Sequence, residues 1–191
     1  PPAPGLAGNT LRQAVRVSIG GNVLRLKLSN VFGKDTVTLR SVRIARSTGG
    51  STIDKASEKE LTFGGKPEVM LEPGTGVVSD ALRFKLRERM DLTITISIER
   101  TSPTLTGHPG SRTTSYLLTG NDPAVTDFSQ AVPADHWYLI QGIDVKVPGN
   151  RSSVVILGNS ITDGRGSETN RQNRWPDVLS ERLLKNRSTR N

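Results

Sequence analysis

The sequence predicts an all-β sandwich followed by the opening of an α/β unit, on three observations. From Leu11 to Val147 the apolar residues recur at every second position, the period of a strand with one face buried. Clusters of Gly, Pro, Asn and Asp punctuate that stretch, and no segment before residue 150 has a helical period. After Pro148-Gly149-Asn150 the pattern changes to a continuous apolar run, a polar loop and a helical repeat.

Each element follows in order. Val15, Val17 and Ile19 alternate with Arg16 and Ser18, and Gly20-Gly21-Asn22 turns the chain into residues 23–28 as a hairpin. Val42 and Ile44 flank an arginine. Residues 92–98, Leu-Thr-Ile-Thr-Ile-Ser-Ile, make the cleanest strand, and residues 82–86, 115–118, 137–140 and 143–147 supply more. Turn signals lie at Gly64-Gly65, Pro73-Gly74, between Gly107 and Gly110, and at Gly120-Asn121-Asp122-Pro123. Many short alternating strands with turn-rich joints indicate a jelly-roll-like sandwich over residues 1–148.

Residues 149–191 read differently. Ser153-Val154-Val155-Ile156-Leu157-Gly158 lacks alternation, as does a strand buried on both faces of a parallel sheet. A loop runs from Asn159 to Asn173. Trp175, Val178, Leu179 and Leu183 then recur at helical spacing, with Pro176 where a helix start tolerates proline. One such strand and one helix cannot supply the neighbours that the strand needs. This second domain is therefore expected to be incomplete here, its C-terminal remainder a separate chain bound to this one.

Composition narrows the function. The net charge of +8 sits largely on bases that alternate with apolar residues, as in Leu24-Arg25-Leu26-Lys27-Leu28 and Leu82-Arg83-Phe84-Lys85-Leu86. That is the solvent face of a strand, and stacking aromatics are scarce, so no nucleic-acid partner is expected. The chain has no cysteine and two histidines. This excludes a disulfide scaffold and argues against a metal site, without fixing the compartment. No run approaches the roughly 20 apolar residues of a membrane span. The opening Pro1-Pro2-Ala3-Pro4-Gly5 resembles a mature or trimmed terminus more than a signal peptide.

The chemistry lies at Ser160. A serine just past the C-terminal edge of a buried parallel strand stands where open α/β sheets place ligands. Gly158 permits a sharp turn there, so that Ser160 can present its Oγ to substrate and its backbone N–H to a developing oxyanion. Read alone, Gly-x-Ser is far more often an ordinary strand-to-helix turn.

The surrounding residues add a resemblance. Gly158-Asn159-Ser160-Ile161-Thr162-Asp163-Gly164 resembles the first block of the SGNH (GDSL-type) hydrolases, usually written Gly-Asp-Ser-(Leu/Ile)-Thr/Ser. Asp163-Gly164-Arg165-Gly166-Ser167 and Asn173-Arg174-Trp175-Pro176-Asp177 are similar to its continuation in secreted members. Residues 61–67 and 106–116 resemble the sandwich domain preceding the hydrolase in one multidomain subgroup. The resemblance implies the first strand and helix of a flavodoxin-like α/β hydrolase domain, and a secreted serine esterase needing no cofactor or metal. Ser160 would be the nucleophile and one oxyanion donor, with Gly158, Asn159 and Asp163 supporting its loop. In the family a glycine and an asparagine from later blocks complete the oxyanion hole, and a late Asp-x-x-His supplies the base. None of these blocks is in the chain, which alone is expected to be inactive.

Asn159 departs from the family's aspartate, keeping one acceptor oxygen without the charge. His108 and His136 lie upstream and match no family base. Both are expected to be structural, although the His108 loop could reach over a substrate cleft. Arg165 and Arg174 are candidates for contact with a polar or anionic substrate as well as for surface roles. Asn150-Arg151-Ser152 and Asn186-Arg187-Ser188 are sequons, with Asn150 and Asn186 as candidate glycan acceptors. The implied substrates are acylated carbohydrates, lipids or small esters. The alternative is a non-catalytic β-sandwich that binds carbohydrate or a protein.

Overall fold

Alternating apolar residues form strands that bury one face, and the computed structural model describes this for residues 1–149 and 152–189. The chain runs through β1 (Asn9–Arg16), β2 (Gly21–Ser29), the long β3 (Val37–Gly49) and β4 (Thr52–Leu61), then β5 (Val69–Leu71) and β6 (Gly76–Val78). It continues through β7 (Leu82–Leu86), β8 (Asp91–Arg100), β9 (Gly107–His108), β10 (Ser115–Thr119) and β11 (Val132–Ala134). After β12 (Trp137–Tyr138) and β13 (Ile140–Lys146) comes α1 (Trp175–Lys185).

Two antiparallel sheets make the sandwich. The larger has the order β11-β10-β1-β8-β3-β4, with β5 also on β3. The smaller has β13-β2-β6, with β7 also on β2, so the hairpin expected at Gly20-Gly21-Asn22 does not form: β1 and β2 lie in different sheets. Leu24, Leu26 and Leu28 of the smaller sheet share one core with Leu11, Leu39, Ile44 and the β8 residues Leu92, Ile94, Ile96 and Ile98. Burying each such side chain contributes roughly 1.5–3 kcal/mol. The predicted alternation holds on β2 and β7, where Arg25, Arg83 and Lys85 stay exposed between buried or half-buried neighbours. β8 occupies the middle of the larger sheet, and Thr93, Thr95 and Ser97 on its other face are buried too.

Near the future site, β9 and β12 form a two-stranded piece, pairing His108 with Trp137 and Gly107 with Tyr138. Buried Gln13 ties it to β1: Gln13 Nε2 donates to the Tyr138 carbonyl at 3.0 Å and Gln13 Oε1 accepts the Tyr138 N–H at 2.6 Å. Trp137 Nε1 donates to the Ala14 carbonyl at 2.9 Å. Leu139, at φ 64°, then breaks the extended chain so that β13 leaves this piece and joins the smaller sheet.

The helix begins after Arg174, as its spacing predicts. The Asp177 carboxylate accepts the Arg174 backbone N–H at 3.1 Å, filling the role of an N-terminal cap. Arg89, on the turn between β7 and β8, holds the helix: its Nη1 donates to the Asp177 carbonyl at 2.8 Å and its Nη2 pairs with Glu181 at 3.0 Å. The expected strand at 154–157 differs. Residues 152–158 join no ladder, and Val154, Val155 and Leu157 are exposed, Leu157 by 98%. An apolar run written for burial on two faces has no strand beside it among the described residues. A groove of about 560 Å³ separates it from α1, lined by Val145, Val147, Val154, Ile156, Leu179 and Leu183 among others.

Candidate active site

Ser160 sits on a tight turn that its neighbours build. A Cβ at position 158 would run into the Thr162 side chain, so glycine is what lets the chain fold back there. Asn159 Oδ1 accepts the Ile161 N–H at 3.0 Å, and the Asn159 carbonyl accepts the Asp163 N–H at 3.0 Å. The Ser160 carbonyl accepts the Arg165 N–H at 2.8 Å. Asn159 thus holds the loop through its acceptor oxygen, the capacity that asparagine shares with aspartate. Ser160 is exposed. Among the described residues neither its hydroxyl nor its backbone N–H has a hydrogen-bond partner.

The sandwich comes to this loop from the other side. His108 Nε2 and Asp163 Oδ2 lie 2.8 Å apart. An ionised carboxylate only accepts, so Nε2 carries the proton and donates. Gly110 leaves the room: a Cβ there would lie 2.6 Å from Asp163 Oδ2. Further along, Asn170 is bound at three points. Its N–H donates to the Arg112 carbonyl at 2.9 Å, its Oδ1 accepts the Thr114 N–H at 2.8 Å, and its Nδ2 donates to Thr114 Oγ1 at 2.8 Å. Gln172 Nε2 adds a bond to Thr113 Oγ1 at 3.3 Å.

The 109–114 loop is itself braced. Thr114 Oγ1 donates to Asp135 at 2.7 Å and Ser115 Oγ to the His136 carbonyl at 2.6 Å. His136 uses Nδ1 on the Pro109 carbonyl at 2.9 Å, a bracing role. Since the carbonyl accepts, Nδ1 is the protonated nitrogen there.

The remaining candidates divide. Arg174 is committed to the turn: its Nε donates to Asp177 at 2.8 Å, and its stem fills the space beside Gly164, whose φ is +103°. Arg165 is exposed. Asn186 is exposed past the helix end, its Oδ1 accepting the Ser188 hydroxyl at 2.8 Å. Asn150 lies outside the described residues. Among the described residues no three His, Asp or Glu side chains gather to hold a metal ion. Sequence reasoning missed Asn170, Gln172 and Arg89. Asn170 carried a faint signal, since asparagine tolerates the left-handed φ of 66° found there.

The fold and site together define an antiparallel β-sandwich carrying an exposed serine turn clamped to its β9–β10 loop. No protein-family model matches the chain, and no curated protein matches it.

Proposed function

We propose that this chain is the nucleophile-bearing part of an SGNH-type serine ester hydrolase. The observation that carries the reading is Ser160 itself: exposed on a tight turn, with Oγ and N–H both unpartnered among the described residues, at the end of an apolar segment that joins no ladder. In this reading Ser160 Oγ attacks the ester carbonyl and the new C–O bond leaves an oxyanion facing the Ser160 N–H. The alcohol departs with the serine's proton, delivered by a base. Water then adds to the acyl-serine and releases the acid, returning the proton to Oγ.

The base is assigned to a C-terminal remainder carrying Asp-x-x-His, because the resemblance puts it in a late block, and among the described residues neither His108 nor His136 is hydrogen-bonded to Ser160. The same remainder brings the glycine and asparagine oxyanion donors, and it supplies strands beside residues 154–157. The groove against α1 supports that placement, being apolar and open. Acylated carbohydrates, lipids and small esters all suit the chemistry, and a secreted protein suits the resemblance.

The test is p-nitrophenyl acetate hydrolysis by the chain with and without the remainder, each beside Ser160→Ala. Turnover is expected only with the remainder, and the alanine variant should lower it about 10⁴-fold or more. Turnover by the joined protein that ignores Ser160→Ala would overturn the esterase reading and favour a binding module. Serine-dependent turnover by the chain alone would show that the base lies within it.

A further inference from the structure

We propose that His108 is a positioning residue for Ser160, reaching from the sandwich to hold the nucleophile loop through Asp163. Its catalytic consequence rests on the esterase reading, whereas the clamp stands on the geometry alone. Asp163 lies three residues beyond Ser160 in the same turn, its N–H bound to the Asn159 carbonyl at 3.0 Å. A carboxylate fixed at that point fixes the turn that aims the Ser160 N–H and hydroxyl.

His108 is suited to do the fixing. Its backbone is in β9, paired with Trp137, and the two rings lie 6.1 Å apart with planes at 51°. Trp137 is in turn bound to the Ala14 carbonyl, so the imidazole is referred back to the rigid larger sheet. Gly110 keeps the approach clear, with Asp163 Oδ2 where a Cβ would crowd it. The Asn170 and Gln172 bonds hold the far end of the loop to the same 112–114 segment. Those contacts leave one end of the turn to His108. The apolar segment before Ser160 joins no ladder, so the sandwich constrains the loop where the strand does not.

Three variants test the clamp. His108→Phe keeps the ring and removes the donor; His108→Gln restores a donor near the Nε2 position; Gly110→Ala wedges the carboxylate away. NMR-detected amide exchange in the chain is expected to quicken roughly fivefold at Asp163, Gly164 and Arg165 for the first and third. His108→Gln should stay near wild type, and the urea midpoint of the sandwich should hold in all three. Unchanged exchange in His108→Phe, or equal effects of Phe and Gln, would overturn the clamp.

The catalytic half is read on the chain joined to its remainder. His108→Phe should lower kcat for p-nitrophenyl acetate with KM unchanged, and His108→Gln should recover it. A Gln variant that holds the loop yet loses turnover would overturn the positioning role, because the imidazole's free lone pair would then matter. If the joined wild type shows no Ser160-dependent turnover, the esterase reading fails while the exchange result still decides the clamp.

Discussion

Replacing Arg12 tests how the sandwich carries a charge in its interior. Arg12 points from β1 away from the apolar core, yet only 1% of it is exposed. Its guanidinium lies 3.6 Å from the centre of the Phe128 ring. Nε donates to Thr95 Oγ1 at 3.0 Å and Nη1 to the Ser51 carbonyl at 2.7 Å, while Nη2 has no partner among the described residues. Burial pulls its pKa down to about 10, against a smaller opposing pull from Glu58, so it stays protonated at neutral pH.

The magnitudes oppose each other. Truncation to alanine removes a desolvated cation–π contact worth about 2 kcal/mol. Two hydrogen bonds from a charged donor add roughly 3 kcal/mol, and the buried methylenes about 2 kcal/mol. The lowered pKa says that desolvation of the charge already costs roughly 3 kcal/mol, which the substitution returns. The net expectation for Arg12→Ala is a loss of about 3–4 kcal/mol, or a melting temperature lower by about 10 °C. Arg12→Met keeps the stem and the contact with Phe128 while discarding the charge. It should fall within about 1 kcal/mol of wild type, since a hydrophobic isostere replaces a buried ion with little loss. Urea denaturation at pH 7 measures both. An alanine variant within about 1 kcal/mol of wild type, or a methionine variant as unstable as alanine, would refute the reasoning.

Three further outcomes are expected. The Asp80 carboxylate is held below the usual range chiefly by the Gly65 N–H, then by the Thr62 hydroxyl and the Gly64 N–H. Its contribution to stability is present above the unfolded value near pH 4 and is lost as pH falls through the lowered folded value, so urea midpoints between pH 7 and 3 should fall less steeply for Asp80→Asn. Arg89→Ala should loosen α1, quickening its amide exchange roughly tenfold, while the midpoint of the sandwich holds. Gly164→Ala, at φ +103° and 2.5 Å from the Arg174 Cδ, should raise exchange across residues 159–165, and unchanged exchange would mean that the turn absorbs a side chain.

Legibility in the sequence followed burial. β2, β7, β8 and β13 could be read because one face of each meets the core, which forces alternation. β4 could not: its residues Thr52-Ile53-Asp54-Lys55-Ala56-Ser57-Glu58-Lys59-Glu60-Leu61 lie on the rim of the larger sheet, and only Ser57 and Leu61 are buried. Its place is set by pairing with β3, in which any residue can take part. The burial of Arg12 was not legible at all, since a basic residue on the face of a strand away from the core usually meets water, and here the segment bearing Phe128 covers it. At the candidate site Ser160, Gly158, Asn159 and Asp163 were legible as a local motif. The partner of Asp163 was not, because His108 lies 55 positions away and no periodic signal joins the two.

The long-range tie between His108 and Asp163 bears on how Ser160 is presented. A loop following a strand ordinarily takes its shape from the strand, and the strand from its sheet. Residues 152–158 have no ladder, yet the turn after them is closed by its own backbone bonds and tied to the sandwich at His108, Thr113 and Thr114. The serine turn therefore takes its shape without a strand ladder before it. The sandwich contributes to that shape through the β9–β10 loop, and Arg89 of its β7–β8 turn holds the helix that follows. Val154, Val155 and Leu157 stay exposed. A sandwich that acted only as a remote binding module would have no physical reason to spend the β9–β10 loop on Asp163 and Asn170. In the esterase reading that expenditure has a purpose, since a nucleophile misplaced by about 1 Å can lose on the order of a hundredfold in rate.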